Sequence, residues 1–157
     1  MNAVAIDIII EDDGWMRDLP DVNALAARCH AAAIRYAPET SGAAALLLTD
    51  DDTIQSLNAR FRGKDAPTNV LSFPAGDDHP PGDDRFLGDI AIALQTCRRE
   101  AQSEEKALAH HLSHLIVHGL LHLVGYDHHD EDEALGMEHL ETKILADIGV
   151  PNPYSVD

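Results

Sequence analysis

Residues 106–124 (KALAHHLSHLIVHGLLHLV) constrain the chain more than any other stretch. Wound at about 100° per residue, they place Leu108, Leu112, Leu115, Ile116, Leu120 and Leu123 on one broad apolar face. His111, His114, His118 and His122 fall on the adjoining arc, so one edge of a buried helix is lined with imidazoles. His118 and His122 lie one turn apart and project to the same side. Two neutral imidazoles at that spacing can share a metal ion. Gly125 suits the end of the helix, because glycine takes up the left-handed conformation of a helix terminus without steric penalty. If the chain turns back there, His128 supplies a third ligand. Three protein ligands leave a fourth position for water or substrate, the pattern of catalytic rather than structural zinc sites.

The run HGLLHLVGYDH also matches the long zincin pattern, H-E-x-x-H-x-x-G-x-x-H, at three histidines and the glycine. It departs at Gly119, which stands where those peptidases carry the glutamate that acts as general base. Ordinary peptide hydrolysis then lacks its proton acceptor, and another use of the site is expected. His111 and His114 extend the line in one of two ways: behind the ligands or facing substrate, or on a solvated surface. His110 lies off the arc, and His129 and His139 have no motif position, so the surface is expected for all three. Asp127 either orients an imidazole from behind or simply forms the turn.

A chain of 157 residues can build one domain with a real core, but hardly two. Hydrophobic content of 45% with only 4% aromatic points to an aliphatic core. The formal charge of −17, from 28 acidic and 11 basic residues, argues against loose binding to nucleic acid or anionic membrane. A nucleic-acid substrate would therefore need a local basic patch. Cys29 and Cys97 are widely separated, form no disulfide framework or thiolate metal motif, and are expected as buried thiols. No targeting segment or membrane-length apolar run is present, so a cytoplasmic location is the expectation.

Along the chain, 4–10 (VAIDIII) reads as a strand, 11–14 as a turn, and 21–36 as a helix ending before Pro38. The run 43–49 (AAALLLT) is a strand by its length, although periodicity alone also allows a helix. Asp50, Asp51 and Asp52 precede a helix at 53–61 and are read as capping residues rather than metal ligands. Residues 60–69 (RFRGKDAPTN) are the only dense basic cluster and form a loop. Arginine forks there can match phosphate oxygens, the competing reading being a solvated loop with local ion pairs. A strand at 69–73, a surface loop at 74–85 containing a solvated His79, a strand at 87–94 and a polar helix at 95–103 follow. The last helix covers 130–148, with acids in its first turn and Leu135, Leu140, Ile144, Leu145 and Ile148 as apolar positions.

The run His118-Gly-x-Leu-His-Leu-x-Gly-Tyr-Asp-His128 resembles the signature of the YbeY family of bacterial rRNA-processing endoribonucleases. The likeness extends to Leu57-Asn58, to 61–65 (FRGKD), 67–74 (PTNVLSFP) and 87–90 (LGDI), and to Met137-Glu138. Ala66 departs from it, standing where many relatives carry lysine, and the Pro/Asp-rich loop 75–84 is individual to this chain. The resemblance implies an α+β fold in which residues 1–157 form one metal-dependent hydrolase domain. A small mixed sheet of about four strands would pack against helices, with the metal-binding helix near the C-terminal third.

It further implies one Zn²⁺ per chain on His118, His122 and His128, no other cofactor, and a functional arginine at Arg62. The activity it implies is single-strand-specific RNA cleavage in maturation of the small-subunit rRNA 3′ end and in ribosome quality control. Partners would be rRNA, the small ribosomal subunit, ribosomal protein S11 and the GTPase Era, with no DNA and no membrane. Arg62 and His118 are thus the expected catalytic residues, with Arg62 offsetting charge on the scissile phosphate. The general base and the nucleophile, a 2′-hydroxyl or a water, stay open. Two alternatives are a zincin-like hydrolase of non-RNA substrates and a ribosome-assembly adaptor with a structural metal.

Overall fold

Residues 43–49, ambiguous by periodicity, form a strand in the structure, a computed structural model describing residues 6–75 and 85–154. Alternation explains it: Ala44, Leu46 and Leu48 are buried in one core, while Ala43, Ala45 and Leu47 point the other way, half-buried. This strand, β2 (Ala43–Thr49), pairs in parallel with β1 (Ile6–Ile10) on one side and with β4 (Phe86–Ala93) on the other. The edge strand β3 (Val70–Pro74) runs antiparallel to β4, giving the order β1-β2-β4-β3. Val4 and Ala5 of the first expected strand lie outside the described residues, as does His79 in the loop before β4.

Among the described residues six α-helices accompany the sheet. They are α1 (Gly14–Asp18), α2 (Val22–Tyr36), α3 (Asp51–Arg62), α4 (Leu94–Ser103), α5 (Leu108–Leu123) and α6 (Glu131–Asp147). The α+β class and the mixed four-stranded sheet are therefore as expected. One difference is α1, which follows the turn read at 11–14 in a stretch where the sequence suggests no element. Five residues are too few to show a helical period, and one side chain anchors the element in the core. The Trp15 ring is fully buried and its Nε1 donates to the Thr49 carbonyl at 3.0 Å. A second is Leu135, expected on the apolar side of the last helix but 64% exposed in its first turns. Of the acidic triplet Asp50 caps as expected, its Oδ1 accepting from the Thr53 N–H at 2.8 Å, while Asp51 and Asp52 lie in the first turn of α3. Asp51 in turn binds Thr96 and Arg99 at 2.9 Å, tying α3 to α4.

Helices α2 and α5 cover one face of the sheet and α6 packs against both. Helix α3 covers part of the other face over a smaller cluster of Ile54, Leu71, Ala91 and Ala93. Cys29 and Cys97 are both fully buried, and burial pushes their thiols up to about 11 and about 12. No helix of the described residues is long and apolar enough to cross a membrane.

Gly119 sits where α5 presses on β4. A Cβ built on it would lie 3.0 Å from Ile90 side-chain carbons, so position 119 points into the sheet and away from the imidazoles. That gives a physical reason for the departure from the peptidase pattern. Gly119→Glu would bury a carboxylate against a fully buried isoleucine. The expected result is a protein that melts well below wild type or fails to fold, with no gain of peptidase activity. A stable variant that cleaves a peptide library would contradict it.

Candidate metal centre and cleft

The C-terminal half of α5 and the loop after it form one wall of a cleft of about 520 Å³. Strand β3 and the end of α3 form the other. Side chains alternate along β3, so Val70, Ser72 and Pro74 line the cleft, while Leu71 and Phe73 face α3. Gly125 has φ +102°, which sends the chain back along the helix end as expected. That turn brings His128 to the two helical histidines.

His118 Nε2 and His122 Nε2 are 3.1 Å apart. Two nitrogens each about 2.0–2.1 Å from a tetrahedral ion would lie about 3.4 Å apart, so the pair fits a shared metal with little movement. The His128 ring is stacked beside His118 at 6.0 Å between centroids and edge-on to His122 at 5.3 Å. One nitrogen from each of the three rings lies within 4.8 Å of the others, so the cluster could hold a metal ion. Burial, helped by the charge of His118, pushes His122 below the usual imidazole value, which keeps its lone pair available.

Glu141 of α6 is the residue that the sequence reading missed. It is fully buried, and its Oε2 lies 2.5 Å from His118 Nδ1. The carboxylate accepts, so Nδ1 carries the proton and Nε2 offers its lone pair toward His122. A carboxylate behind an imidazole in this way would fix the tautomer and orientation of a metal ligand. The other oxygen of Glu141 takes His114 Nε2 at 3.1 Å and the Tyr154 hydroxyl. Burial alone would raise this carboxyl, but hydrogen bonds from His114, His118 and Tyr154 and the charge of His118 outweigh it. The net effect holds Glu141 at about 2. His114, His118 and Glu141 also form a second group whose ligand atoms lie within 4.8 Å.

A signal for Glu141 was present. It lies four residues after Met137 and three and four before Ile144 and Leu145, all buried, so a carboxylate stands in the apolar stripe of α6. Tyr154 follows the last helix in an irregular segment and carries no comparable signal.

Of the other residues singled out by sequence, Arg62 is exposed at the mouth of the cleft, with Nη2 3.4 Å from the Ser72 carbonyl. His111 is buried, not solvated, and its Nε2 meets Glu100 Oε1 at 2.8 Å. The same oxygen accepts from cleft-lining Asn69 at 3.0 Å. Asp127 forms the turn: Oδ1 accepts from the His128 N–H at 2.8 Å and Oδ2 faces His129 Nε2 at 2.8 Å. Its nearest approach to a ring of the cluster is 3.9 Å, to His128 Nδ1. His129 and His139 are exposed and His110 is half-buried outside the cleft. Arg98 and Arg99 are paired with Asp18 and Asp51 and do not line the cleft.

The fold and site define an α+β protein with a three-histidine cluster and an arginine in one open cleft. Comparison with known proteins supplies the family. The family model described as endoribonuclease YbeY matches residues 12–149. An "Endoribonuclease YbeY" of Rhodopseudomonas palustris is 53% identical over 152 residues, covering 95% of this chain and 80% of that one. Another from a Bradyrhizobium species is 52% identical, covering 95% and 91%, and one from Paramagnetospirillum magneticum is 45% identical, covering 97% and 96%. A Thermotoga maritima protein solved in solution shares the fold at a TM-score of 0.59, with 22% identity and coverage of 92% and 91%. The chain belongs to the YbeY endoribonuclease family.

Proposed function

We propose that the protein is a metal-dependent endoribonuclease specific for single strands, with residues 1–157 as one hydrolase domain. The observation that carries this reading is the convergence of Arg62 with His118, His122 and His128 in one cleft. Three imidazole nitrogens are a donor set suited to zinc, and we assign one Zn²⁺ to them. When bound, the ion would act as a Lewis acid toward a phosphoryl oxygen and lower the pKa of a water. Arg62 holds the scissile phosphate and offsets charge developing on its oxygens. Glu141 keeps the proton of His118 on Nδ1. Asn69, steadied by Glu100, and Ser72 offer polar atoms along the β3 wall.

The wider reading follows from the family resemblance. Maturation of the small-subunit rRNA 3′ end and ribosome quality control would occur in the cytoplasm, with ribosomal protein S11 and the GTPase Era as partners. The charge of −17 gives a second reading some support, an adaptor that acts only on the ribosome with a structural metal.

The test is cleavage of single-stranded RNA by purified protein of known metal content, comparing wild type with Arg62→Ala and His118→Ala. Arg62→Ala should keep its metal and lose cleavage by about 10²–10³-fold, the range for removing one donor to a developing oxyanion. His118→Ala should lose both. Metal-loaded wild type that never cuts RNA above these variants would overturn the reading and favour the adaptor.

A further inference from the structure

We infer that the groove on the opposite side of β3 from the histidines is a stacking site for one unpaired base of single-stranded RNA, immediately beside the phosphate held by Arg62. This rests on the ribonuclease reading above. Phe61, in the last turn of α3, is 57% exposed, although only 4% of the chain is aromatic. The Arg60 guanidinium carbon lies 5.3 Å from the centre of its ring, and Phe73 meets it edge-on at 5.5 Å between centroids. Together with Leu47, Leu57 and Asp89 they line an open groove of about 380 Å³ with a mostly apolar floor.

Two observations identify the occupant. The first is charge. Arg35, Arg98, Arg99 and Lys106 are each tied to an acid. Arg60, Arg62 and Lys64, at or beside the groove, have no carboxylate partner among the described residues. In a chain of −17 this rim is available to a polyanion. An apolar floor under a cationic rim suits a nucleotide, whose base is flat and apolar on its faces and whose backbone is anionic. Among the described residues Asp89 is the one carboxylate in the groove, and it can accept from an exocyclic amine on the base edge.

The second is continuity with the cleft. Phe61 and Arg62 are consecutive, with Cα atoms about 3.8 Å apart. Arg62 reaches the backbone of the edge strand at Ser72, whose side chain lines the histidine cleft, while Phe61 packs on Phe73 of the same strand from the other face. A strand crossing the edge of β3 thus sets a phosphate on Arg62 and the adjoining base on Phe61. A base held in a duplex is already stacked on both faces and cannot enter, so the groove would select single strands.

The experiment measures fluorescence anisotropy of a labelled oligoribonucleotide on full-length protein carrying His118→Ala to stop cleavage. Adding Phe61→Ala should weaken single-strand binding roughly five- to 150-fold, the range for losing one aromatic–base stack. Binding to an equally long RNA duplex should not change, and Phe61→Trp should restore single-strand affinity. One abasic position should weaken binding when Phe61 is present and have no further effect in Phe61→Ala. Circular dichroism melting checks that the variant folds. Unchanged single-strand binding in a folded Phe61→Ala, with binding lost in Arg62→Ala, overturns the stacking site alone and leaves the groove to an apolar protein surface. Equal loss for single strand and duplex also overturns it. If wild type neither binds nor cuts RNA, the ribonuclease reading falls and the stacking site with it.

Discussion

Replacing His122 with alanine is expected to strip the protein of tightly bound metal and reduce RNA cleavage to background. The reason is geometric. His118 Nε2 and His122 Nε2 face each other at 3.1 Å, near the edge length of a tetrahedral zinc site, and the third ring comes from an exposed loop. Removing His122 leaves one rigid helical ligand and one loop ligand. The loss of affinity should exceed the roughly 10–100-fold typical of losing only an outer partner of a ligand. His122 contributes little else, since it is half-buried and its hydrogen-bonding partner is His118 itself. The variant should therefore melt close to metal-free wild type. His139→Ala, exposed on α6, serves as control and should keep both metal and activity. Elemental analysis of metal per chain, run beside single-stranded RNA cleavage, decides it. Full metal content and full cleavage in His122→Ala would sink the three-histidine centre.

The same comparison separates metal from phosphate chemistry. Among the described residues Arg62 has one hydrogen bond, to the Ser72 carbonyl, and none to the histidines, so its loss should spare the metal. Two variants that fail for different reasons are more informative than either alone.

The sequence was readable where chemistry and period coincide. His118, His122, Gly125 and His128 sit in one helix and the turn after it, so their relation is set by about 100° per residue and one left-handed glycine. The long helices were legible for a similar reason, because each shows its own repeat, whereas the strands were read from short apolar, β-branched runs between turn signals. What the chain did not disclose depends on contacts between distant elements. Trp15 makes a helix of five residues because its indole reaches Thr49, which no local pattern reports. His111 stays open between a supporting place and a solvated one until Glu100 of α4 and Asn69 are brought beside it. Asp127, next to His128 in sequence, spends its oxygens on the turn. The carboxylate that supports His118 comes instead from 23 residues beyond it. Proximity along the chain is a poor guide to the partner of a ligand, whereas a charge within an apolar stripe is a good one.

Glu141 yields the second large effect. It accepts from His118 Nδ1, His114 Nε2 and the Tyr154 hydroxyl inside a site with no exposure of its own. Glu141→Leu removes the common acceptor: His118 Nδ1 loses its partner in a poorly solvated space, while His114 Nε2 and the Tyr154 hydroxyl keep only each other, at 3.1 Å. The expected loss is about 3–5 kcal/mol, the order of two hydrogen bonds to a charged acceptor at roughly 1.5–3 kcal/mol each. At roughly 2–4 °C per kcal/mol for a protein of this size, the metal-free protein should melt about 6–20 °C lower. Metal affinity, measured by chelator competition well below the melting range, should also fall about 10–100-fold, because His118 loses the acceptor that fixes its tautomer. Glu141→Gln distinguishes support from tautomer control. Its amide keeps the shape and one acceptor oxygen but presents an N–H₂ to one of the donors. It should recover much of the stability, and it should recover affinity only if the amide oxygen faces His118. A folded Glu141→Leu that binds metal as tightly as wild type would reduce Glu141 to a packing role and leave the orientation of His118 to its helix alone.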